Sequence, residues 1–405
     1  MKKICVLGLG YIGLPTASLV ATKGYSVLGV DVQKSTVDTI NQGQIHIHEP
    51  DLDILVKSAV QSGHLKASLT PDEADIFIVA VPTPFFEEGF KPDLTYVESA
   101  VRSIAPVLKS GDLLILESTS PVGTTEKMRD WVKEERSDLN LDEIYFAHCP
   151  ERVLPGQILK ELILNDRIIG GINTASSLKA QEFYASFVNG SIHLTDARTA
   201  ELAKLTENAF RDVNIAFANE LSYICEKLDV DVWQLIALAS KHPRVKILNP
   251  GPGVGGHCIA VDPWFIVDSA PEESRLIRAA REINDSRPKH IAAKIIAAAK
   301  KEKQSSVACL GLAFKANVDD LRSSPAVEIV QILAASGLTI LAVEPHIKSL
   351  PKALAKYGNI KLMDLPSALQ GSSIISLLVD HSQFRAVDRS LLAKKQIFDT
   401  RGIWQ

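Results

Sequence analysis

Two rhythms of apolar and polar positions run along this chain. Lys3–Leu7 is a short continuous apolar run, and after the glycine-rich turn Gly8-Leu-Gly10-Tyr-Ile-Gly13 the spacing changes to that of a helix over 14–23. Gly24 stops that helix, and residues 25–30 read as a second strand ending at Asp31. Further apolar runs at 75–81, 112–116 and 144–147 alternate with helical stretches such as 93–108. Short, continuously apolar strands separated by helices predict a parallel sheet buried on both faces.

Over 198–228 the rhythm becomes that of one long helix, with no charge between Val213 and Asn219, so that part is expected to pack against another helix or subunit. A second helix is expected over 229–248, broken by Pro243, and a third over 275–299, interrupted near Pro288. The charged run at 300–303 reads as an exposed connection. A second α/β unit follows, with strands over 306–314, 338–343, 373–379 and 396–398 and a helix over 325–336. The expected fold is α/β, with two Rossmann-like parallel sheets joined by a long central helix and a helical middle region. Its parts are 1–197, 198–299 and 300–405.

Length fits this division: 405 residues exceed one ordinary core. Apolar residues make up 46% and charged residues 23%, with a net charge of −4 and no block of one sign. Nucleic acid and membrane surfaces are therefore poor partners, and no apolar run approaches the roughly 20 residues of a bilayer span. The apolar stretch after Lys2 and Lys3 runs into a glycine turn, as a strand does and a signal peptide does not. The five cysteines form no CxxC pair, which points to no disulfide framework and to the reducing cytoplasm. Cys5 and Cys309 sit in core strands and Cys225 in a helix, all as core fillers, whereas Cys149 is undecided. His46 and His48 are spaced like a metal pair but lack a third ligand, so no metal is expected.

The glycine turn has the context that gives GxGxxG meaning: a strand before it, a helix after it and an acid about 20 residues on. Gly8 and Gly10 let the backbone approach a pyrophosphate at the helix N-terminus, and Gly13 lets helix and strand pack closely. Asp31, with no arginine after it, favours NAD over NADP. Thr83, Thr119 and Glu151 leave the carboxyl ends of strands, where open α/β sheets bind ligands, although each also suits a helix cap or loop contact. Lys204 and Asn208 lie one turn apart on the long helix and could hold an oxyanion, or belong to a solvated stripe. Lys315 and Arg322 suit a phosphate or carboxylate, or are plain surface charges.

The fifteen residues at 249–263 carry four glycines and three prolines around Cys258 and Asp262. No helix or central strand tolerates that composition, so this is a built loop. Amides bared at Gly253, Gly255 and Gly256 could favour a thiolate and make Cys258 a nucleophile. The competing reading is a tight turn in which Cys258 is a buried apolar filler.

Together these stretches resemble the UDP-glucose/GDP-mannose dehydrogenase family over essentially the whole chain. The motifs are Gly8-Leu-Gly10-Tyr-Ile-Gly13-Leu-Pro15, Val81-Pro-Thr83-Pro84, Ser118-Thr119-Ser-Pro121-Val-Gly123, Pro150-Glu151-Arg152, Glu201 to Asn208, Gly253 to Cys258 with Asp262, and Gly311-Leu-Ala-Phe-Lys315 with Arg322. Within the family, 150–156 and 253–265 look like the N-acetylhexosamine branch. The resemblance implies that the C6 alcohol of UDP-N-acetyl-D-mannosamine is oxidised to a carboxylate with two NAD⁺ consumed, in surface polysaccharide synthesis. Cys258 would capture the aldehyde and form a thioester, Lys204 and Asn208 would hold the oxyanion, and Asp262 would be the base. Thr119 and Glu151 would order the water. It also implies cofactor contacts from Tyr11, Ile12, Asp31, Thr83, Thr119 and Arg322. Substrate contacts would come from Glu151, Arg152, Val153, Lys204, Asn208, Arg211, Gly255, His257 and Lys315. Arg244 would reach a neighbouring subunit's site, which implies a homodimer.

Cys258-Ile-Ala-Val-Asp262 departs from the Cys-Phe-Pro-Lys-Asp of the glucose-specific members, consistent with a hexosamine. UDP-N-acetylglucosamine or UDP-glucose are the near alternatives. A two-electron dehydrogenase of the 6-phosphogluconate type would need neither Cys258 nor the second α/β unit. A sensor binding NAD and a nucleotide sugar without turnover would need no nucleophile.

Overall fold

A computed structural model describes residues 2–86, 90–256 and 258–404. The chain forms two compact units: residues 1–207 with 268–270, and residues 208–267 with 271–405.

The first unit is built on an eight-stranded sheet. Its first half runs β1 (Lys3–Leu7), α1 (Gly13–Thr22), β2 (Ser26–Val30), α2 (Lys34–Asn41), α3 (Leu52–Gln61), β3 (Leu65–Ser68) and β4 (Ile76–Val79). Its second half runs α4 (Thr95–Ile104), β5 (Leu113–Leu116), α5 (Thr124–Glu135), β6 (Tyr145–His148), α6 (Ile158–Leu164), β7 (Arg167–Gly171), α7 (Thr174–Tyr184) and β8 (Ile192–Asp196). The strand order is β3-β2-β1-β4-β5-β6-β7-β8. The order reverses at β1 and β4, which is where such sheets take dinucleotides. Apolar clusters cover both faces, which is why β4 and β5 are apolar at every position. One pairing departs from the expected parallel sheet: β7 runs antiparallel to β6, with Ala147 opposite Gly171 and His148 opposite Gly170.

Helix α8 (Ala197–Leu228) follows β8 without a break and runs 32 residues, about 48 Å at the helical rise. Its residues up to Glu207 belong to the first unit and those from Asn208 to the second.

In the second unit α9 (Val232–Ala239) ends ahead of the break expected at Pro243, and no helix follows up to 248. Asp231 caps it by accepting from the amides of Trp233 and Gln234, and beyond Ser240 the chain leaves the helix ahead of Pro243, whose ring forbids another turn. Helix α10 (Asp262–Ser269) is followed by α11 (Arg275–Lys301), which passes through Pro288 uninterrupted, contrary to expectation. The carbonyl that Pro288 leaves without its helical donor is that of Asn284, and the loop at Gly253 packs close to that oxygen.

The second sheet comprises β9 (Ser306–Leu310), α12 (Pro325–Ala335), β10 (Thr339–Val343), α13 (Lys352–Ala355), β11 (Ile360–Leu362), α14 (Leu365–Gly371), β12 (Ile374–Leu377), α15 (Ser382–Arg385) and β13 (Gln396–Asp399). It is parallel throughout in the order β11-β10-β9-β12-β13, with an apolar cluster on each face. Its first turn repeats that of the first unit: Gly311 has φ +94 and donates to Val343 O, as Gly8 has φ +89 and donates to Val30 O.

Candidate active site

In the first unit, a Cβ on Gly8 would lie 2.6 Å from Ala80 O, and one on Gly13 would lie 1.8 Å from Gly8 O. A Cβ on Gly10, by contrast, would meet nothing within 4 Å, so the middle of the turn faces open space beside the N-terminus of α1. Tyr11 is exposed and Ile12 precedes the helix. Asp31 closes the cradle: Oδ2 accepts from Leu9 N at 3.1 Å and Oδ1 from Gln33 N at 2.9 Å.

The loops after β4 and β5 are tied together, since Thr83 Oγ1 donates to Thr119 O at 2.6 Å and Ser118 Oγ to Val81 O at 2.7 Å. Glu201 on α8 anchors the start of α5, accepting from Gly123 N at 2.6 Å and Thr125 N at 2.8 Å. Three residues along α8, Lys204 is half-buried and makes no hydrogen bond or ion pair among the described residues.

Glu151 is buried, with Oε2 accepting from Arg167 Nη1 at 2.6 Å and Oε1 from Arg152 N at 2.9 Å. Arg152 itself bridges to Glu207 at 3.0 Å, and Val153 packs against the core. Behind Glu151 lies Glu117, fully buried, which accepts from Tyr184 OH at 2.7 Å. Burial, and then the Glu151 charge, push the Glu117 carboxyl up to about 7. Arg167 faces two carboxylates, and only one of them is ion-paired to it. His148 is also buried, and burial pushes it down to about 3, so it is a neutral core group.

In the second unit the loop around Cys258 is anchored along its length. Gly251 N donates to Asn219 Oδ1 at 2.9 Å, and Gly251 O accepts from Arg287 Nε at 3.0 Å. Asn219 belongs to a buried polar ladder, donating to Asn284 at 2.8 Å, which in turn donates to Asp212 at 2.8 Å beside Arg281. Gly253 has φ +138 and Gly256 φ +86, conformations only glycine adopts without strain. At the far end Asp262 N donates to Cys258 O at 2.9 Å, and the Asp262 carboxylate accepts from Asn208 Nδ2 at 2.6 Å. Asn208 and Asp262 are 8% and 3% exposed, whereas Cys258 is exposed. That overturns the reading of Cys258 as a buried filler. The other four cysteines, Cys149 included, are buried.

Residues 2–188 match the NAD binding domain of the UDP-glucose/GDP-mannose dehydrogenase family, residues 198–286 its central domain, and residues 308–405 its UDP binding domain. This chain belongs to that family. It is an NAD-dependent nucleotide-sugar dehydrogenase. It is 57% identical to an NDP-N-acetyl-D-galactosaminuronic acid dehydrogenase of Ralstonia nicotianae (strain ATCC BAA-1114 / GMI1000), covering 100% of this chain and 96% of the relative. It is 54% identical to the UDP-N-acetyl-D-mannosamine dehydrogenase of Escherichia coli (strain K12), over 99% of each. The structure of a UDP-D-ManNAc dehydrogenase from Pyrococcus horikoshii superposes with a TM-score of 0.89 at 40% identity, covering 100% of this chain and 96% of that one.

For a member of the UDP-glucose/GDP-mannose dehydrogenase family, the cradle of the first unit fits NAD. The open space at Gly10 admits a diphosphate, and Asp31 is placed for a ribose while opposing a 2′-phosphate. Among the remaining expected residues, Arg211, Arg244 and Lys315 are exposed in the second unit, and His257 lies outside the described residues. Arg322, expected on the cofactor side, is in the second unit with its guanidinium on Asp320 at 2.7 and 2.9 Å. Sequence reasoning missed Glu117, Arg167 and Tyr184, whose partnership joins residues up to 67 apart. No helix among the described residues is long and apolar enough to cross a membrane.

Proposed function

We propose that this enzyme oxidises the C6 alcohol of UDP-N-acetyl-D-mannosamine to the carboxylate through a covalent adduct on Cys258, supplying a uronate for surface polysaccharide. The observation that carries this is the Asn208–Asp262 contact at 2.6 Å beside an exposed cysteine whose carbonyl the same aspartate's amide holds. A two-electron dehydrogenase or a nucleotide sensor has no use for that arrangement.

The glycine cradle would hold NAD, which when bound would supply the hydride acceptor for each oxidation, a second NAD⁺ replacing the NADH formed in the first. Lys204 and Asn208 hold the C6 oxygen, the cation stabilising alkoxide character as the alcohol gives up its proton to Asp262, which passes it to water. Cys258 sulfur adds to the aldehyde carbon, and the thiol proton leaves to Asp262 or water. The resulting thiohemiacetal loses its C6 hydrogen as the second hydride and becomes a thioester. Covalent capture keeps the aldehyde in the site. Water, ordered by Thr119 and Glu151 and deprotonated through Asp262, then attacks the thioester carbon and releases the carboxylate and the Cys258 thiol.

The expected division of labour is NAD on 1–197, nucleophile and self-association on 198–299, and the UDP-sugar on 300–405, with substrate contacts from Arg152, Val153, Arg211, Gly255, His257 and Lys315 and a cofactor contact from Arg322. The reading includes a cytoplasmic homodimer in which Arg244 completes the partner's site. An apolar stripe on α8 supports self-association: Phe210, Phe217 and Ile224 recur every seven residues and all are exposed.

The 57% identity to a relative named for N-acetyl-D-galactosaminuronic acid favours a second reading, the galacto epimer as substrate. Measuring NADH formed per sugar with UDP-N-acetylmannosamine, UDP-N-acetylgalactosamine, UDP-N-acetylglucosamine and UDP-glucose offered separately decides both questions. Two NADH per sugar support the covalent scheme, the fastest substrate names the epimer, and one NADH sinks the scheme.

A further inference from the structure

Glu344, His346 and His381 bring ligand-type atoms within 4.8 Å of one another, the spacing of a metal site. Proton positions argue otherwise. The backbone N–H of Asn317 meets His381 Nδ1 at 2.9 Å, and since an amide N–H can only donate, Nδ1 is an acceptor and the ring proton sits on Nε2. That Nε2–H donates to Glu344 Oε2 at 3.1 Å. Neither nitrogen of His381 keeps a lone pair for a cation.

Glu344 does more than hold the imidazole. Its Oε2 accepts from Leu312 N at 2.7 Å and Ala313 N at 3.0 Å, and its Oε1 accepts from His346 N at 3.2 Å. Burial alone would push the Glu344 carboxyl up, but the bonds from His381, Leu312 and Ala313 hold it below its ordinary value. One buried carboxylate thus grips the start of the 311–317 loop directly and its end through His381. Asn317, at φ +60, closes that end further: its side chain donates to Ser382 Oγ at 2.9 Å and accepts from Ser382 N at 3.0 Å.

Between the two gripped ends stands Phe314. A Cβ on Gly256 would lie 3.0 Å from its ring, and one on Gly255 would lie 3.1 Å from its Cβ and 2.5 Å from Ser323 O. No side chain could be added at Gly255 or Gly256 without moving Phe314 or Ser323, so the loop backbone lies directly against them and a shift of Phe314 would be passed to it. Cys258 follows two residues after Gly256.

We propose that Glu344 and His381 are positioning residues for the nucleophile: clamping both ends of the 311–317 loop holds Phe314 as the surface against which Gly255 and Gly256 pack, and so fixes where Cys258 stands. This rests on the reading of Cys258 as nucleophile. The test is therefore built to fail separately from that reading.

His381 is replaced in turn by Asn, Gln and Ala in the full-length enzyme. In His381→Asn the amide oxygen takes the place of Nδ1 and keeps the Asn317 contact, whereas in His381→Gln the amide nitrogen takes the place of Nε2 and keeps only the Glu344 contact. His381→Ala loses both. Two quantities are read: kcat with the KM for NAD on the fastest nucleotide sugar, and the rate of Cys258 alkylation by iodoacetamide without substrate, followed by mass spectrometry. His381→Ala and His381→Gln are expected to lower kcat by about 100-fold, the scale of a nucleophile misplaced by an ångström. They are also expected to alter the alkylation rate while leaving the KM for NAD unchanged. His381→Asn, which keeps Asn317 but breaks the link to Glu344, is expected to show the same loss. Wild-type alkylation and kcat in all three overturn the clamp. If His381→Ala does not fold, the Asn and Gln variants decide alone. Absence of NADH from every sugar offered to the wild type would defeat the proposed function, and the alkylation rates would still judge the clamp.

Discussion

Asn208 and Asp262 stand 54 residues apart in the chain, and their side chains meet at 2.6 Å with both residues buried. The amide donates to a carboxylate oxygen and so fixes where the negative charge faces. The carboxylate is also the first residue of α10, one helical turn after Cys258. Under the proposed mechanism Asp262→Asn keeps the volume and removes the base, so kcat should fall by roughly 10²–10⁴-fold with the KM for NAD unchanged. Steady-state NADH formation measures both. A loss of less than tenfold would assign the proton transfer elsewhere.

Cys258→Ser tests a different step. Serine keeps the position but is a poor nucleophile without a dedicated base, so the first oxidation should survive while thioester formation collapses. Single-turnover NADH yield should drop from two per sugar toward one, with aldehyde detectable by a carbonyl reagent. Two NADH at the wild-type rate would rule out the covalent scheme.

What could be read from the sequence divides by distance along the chain. The NAD cradle was legible because Gly8, Gly10, Gly13 and Asp31 act within one βαβ unit, and local spacing carries their geometry. Strands β4, β5 and β9 were legible because burial on both faces makes them apolar throughout. Strand β8 was not: it lies at the sheet edge, where the chain shows little alternation. Of the helix expected over 229–248 with a break at Pro243, only the part ahead of the proline forms, because Pro243 stops the backbone and the residues after it do not resume a helix. Roles that depend on long-range partners were invisible. Nothing in the sequence near Glu117 announces Arg167 or Tyr184, which come from β7 and α7.

Glu117 makes a prediction about pH. Its carboxyl stands at about 7 against an ordinary 4.5, so between those values the folded protein binds a proton that the unfolded chain releases. Stability from this group is full below about pH 4.5 and lost as pH rises through about 7, with a slope of at most about 1.4 kcal/mol per pH unit. Glu117→Gln, which keeps the Tyr184 contact without a charge, should flatten that window and raise the melting temperature at pH 8 relative to wild type. Melting temperatures from pH 5 to 8 check it. An unchanged pH profile would mean that Arg167 serves both carboxylates and that Glu117 is ionised throughout.

The stripe on α8 makes the last prediction. Phe210 is 68% exposed, Phe217 52%, Ile224 45% and Leu228 65%. Seven-residue spacing puts the first three on one side of the helix, because seven residues make nearly two turns. A run of large apolar side chains on one side is costly to leave in water and is the seam two helices share when they pair. Burying one phenylalanine contributes about 1.5–3 kcal/mol, and placing a carboxylate there adds a desolvation penalty. Phe217→Asp should therefore weaken the dimer by at least about tenfold, with sedimentation at micromolar concentration showing monomer where the wild type shows dimer. Activity should fall with it, because the proposed Arg244 contribution comes from the partner. A Phe217→Asp dimer of wild-type affinity would place self-association on another face, and a fully active monomer would free Arg244 from any role across the interface.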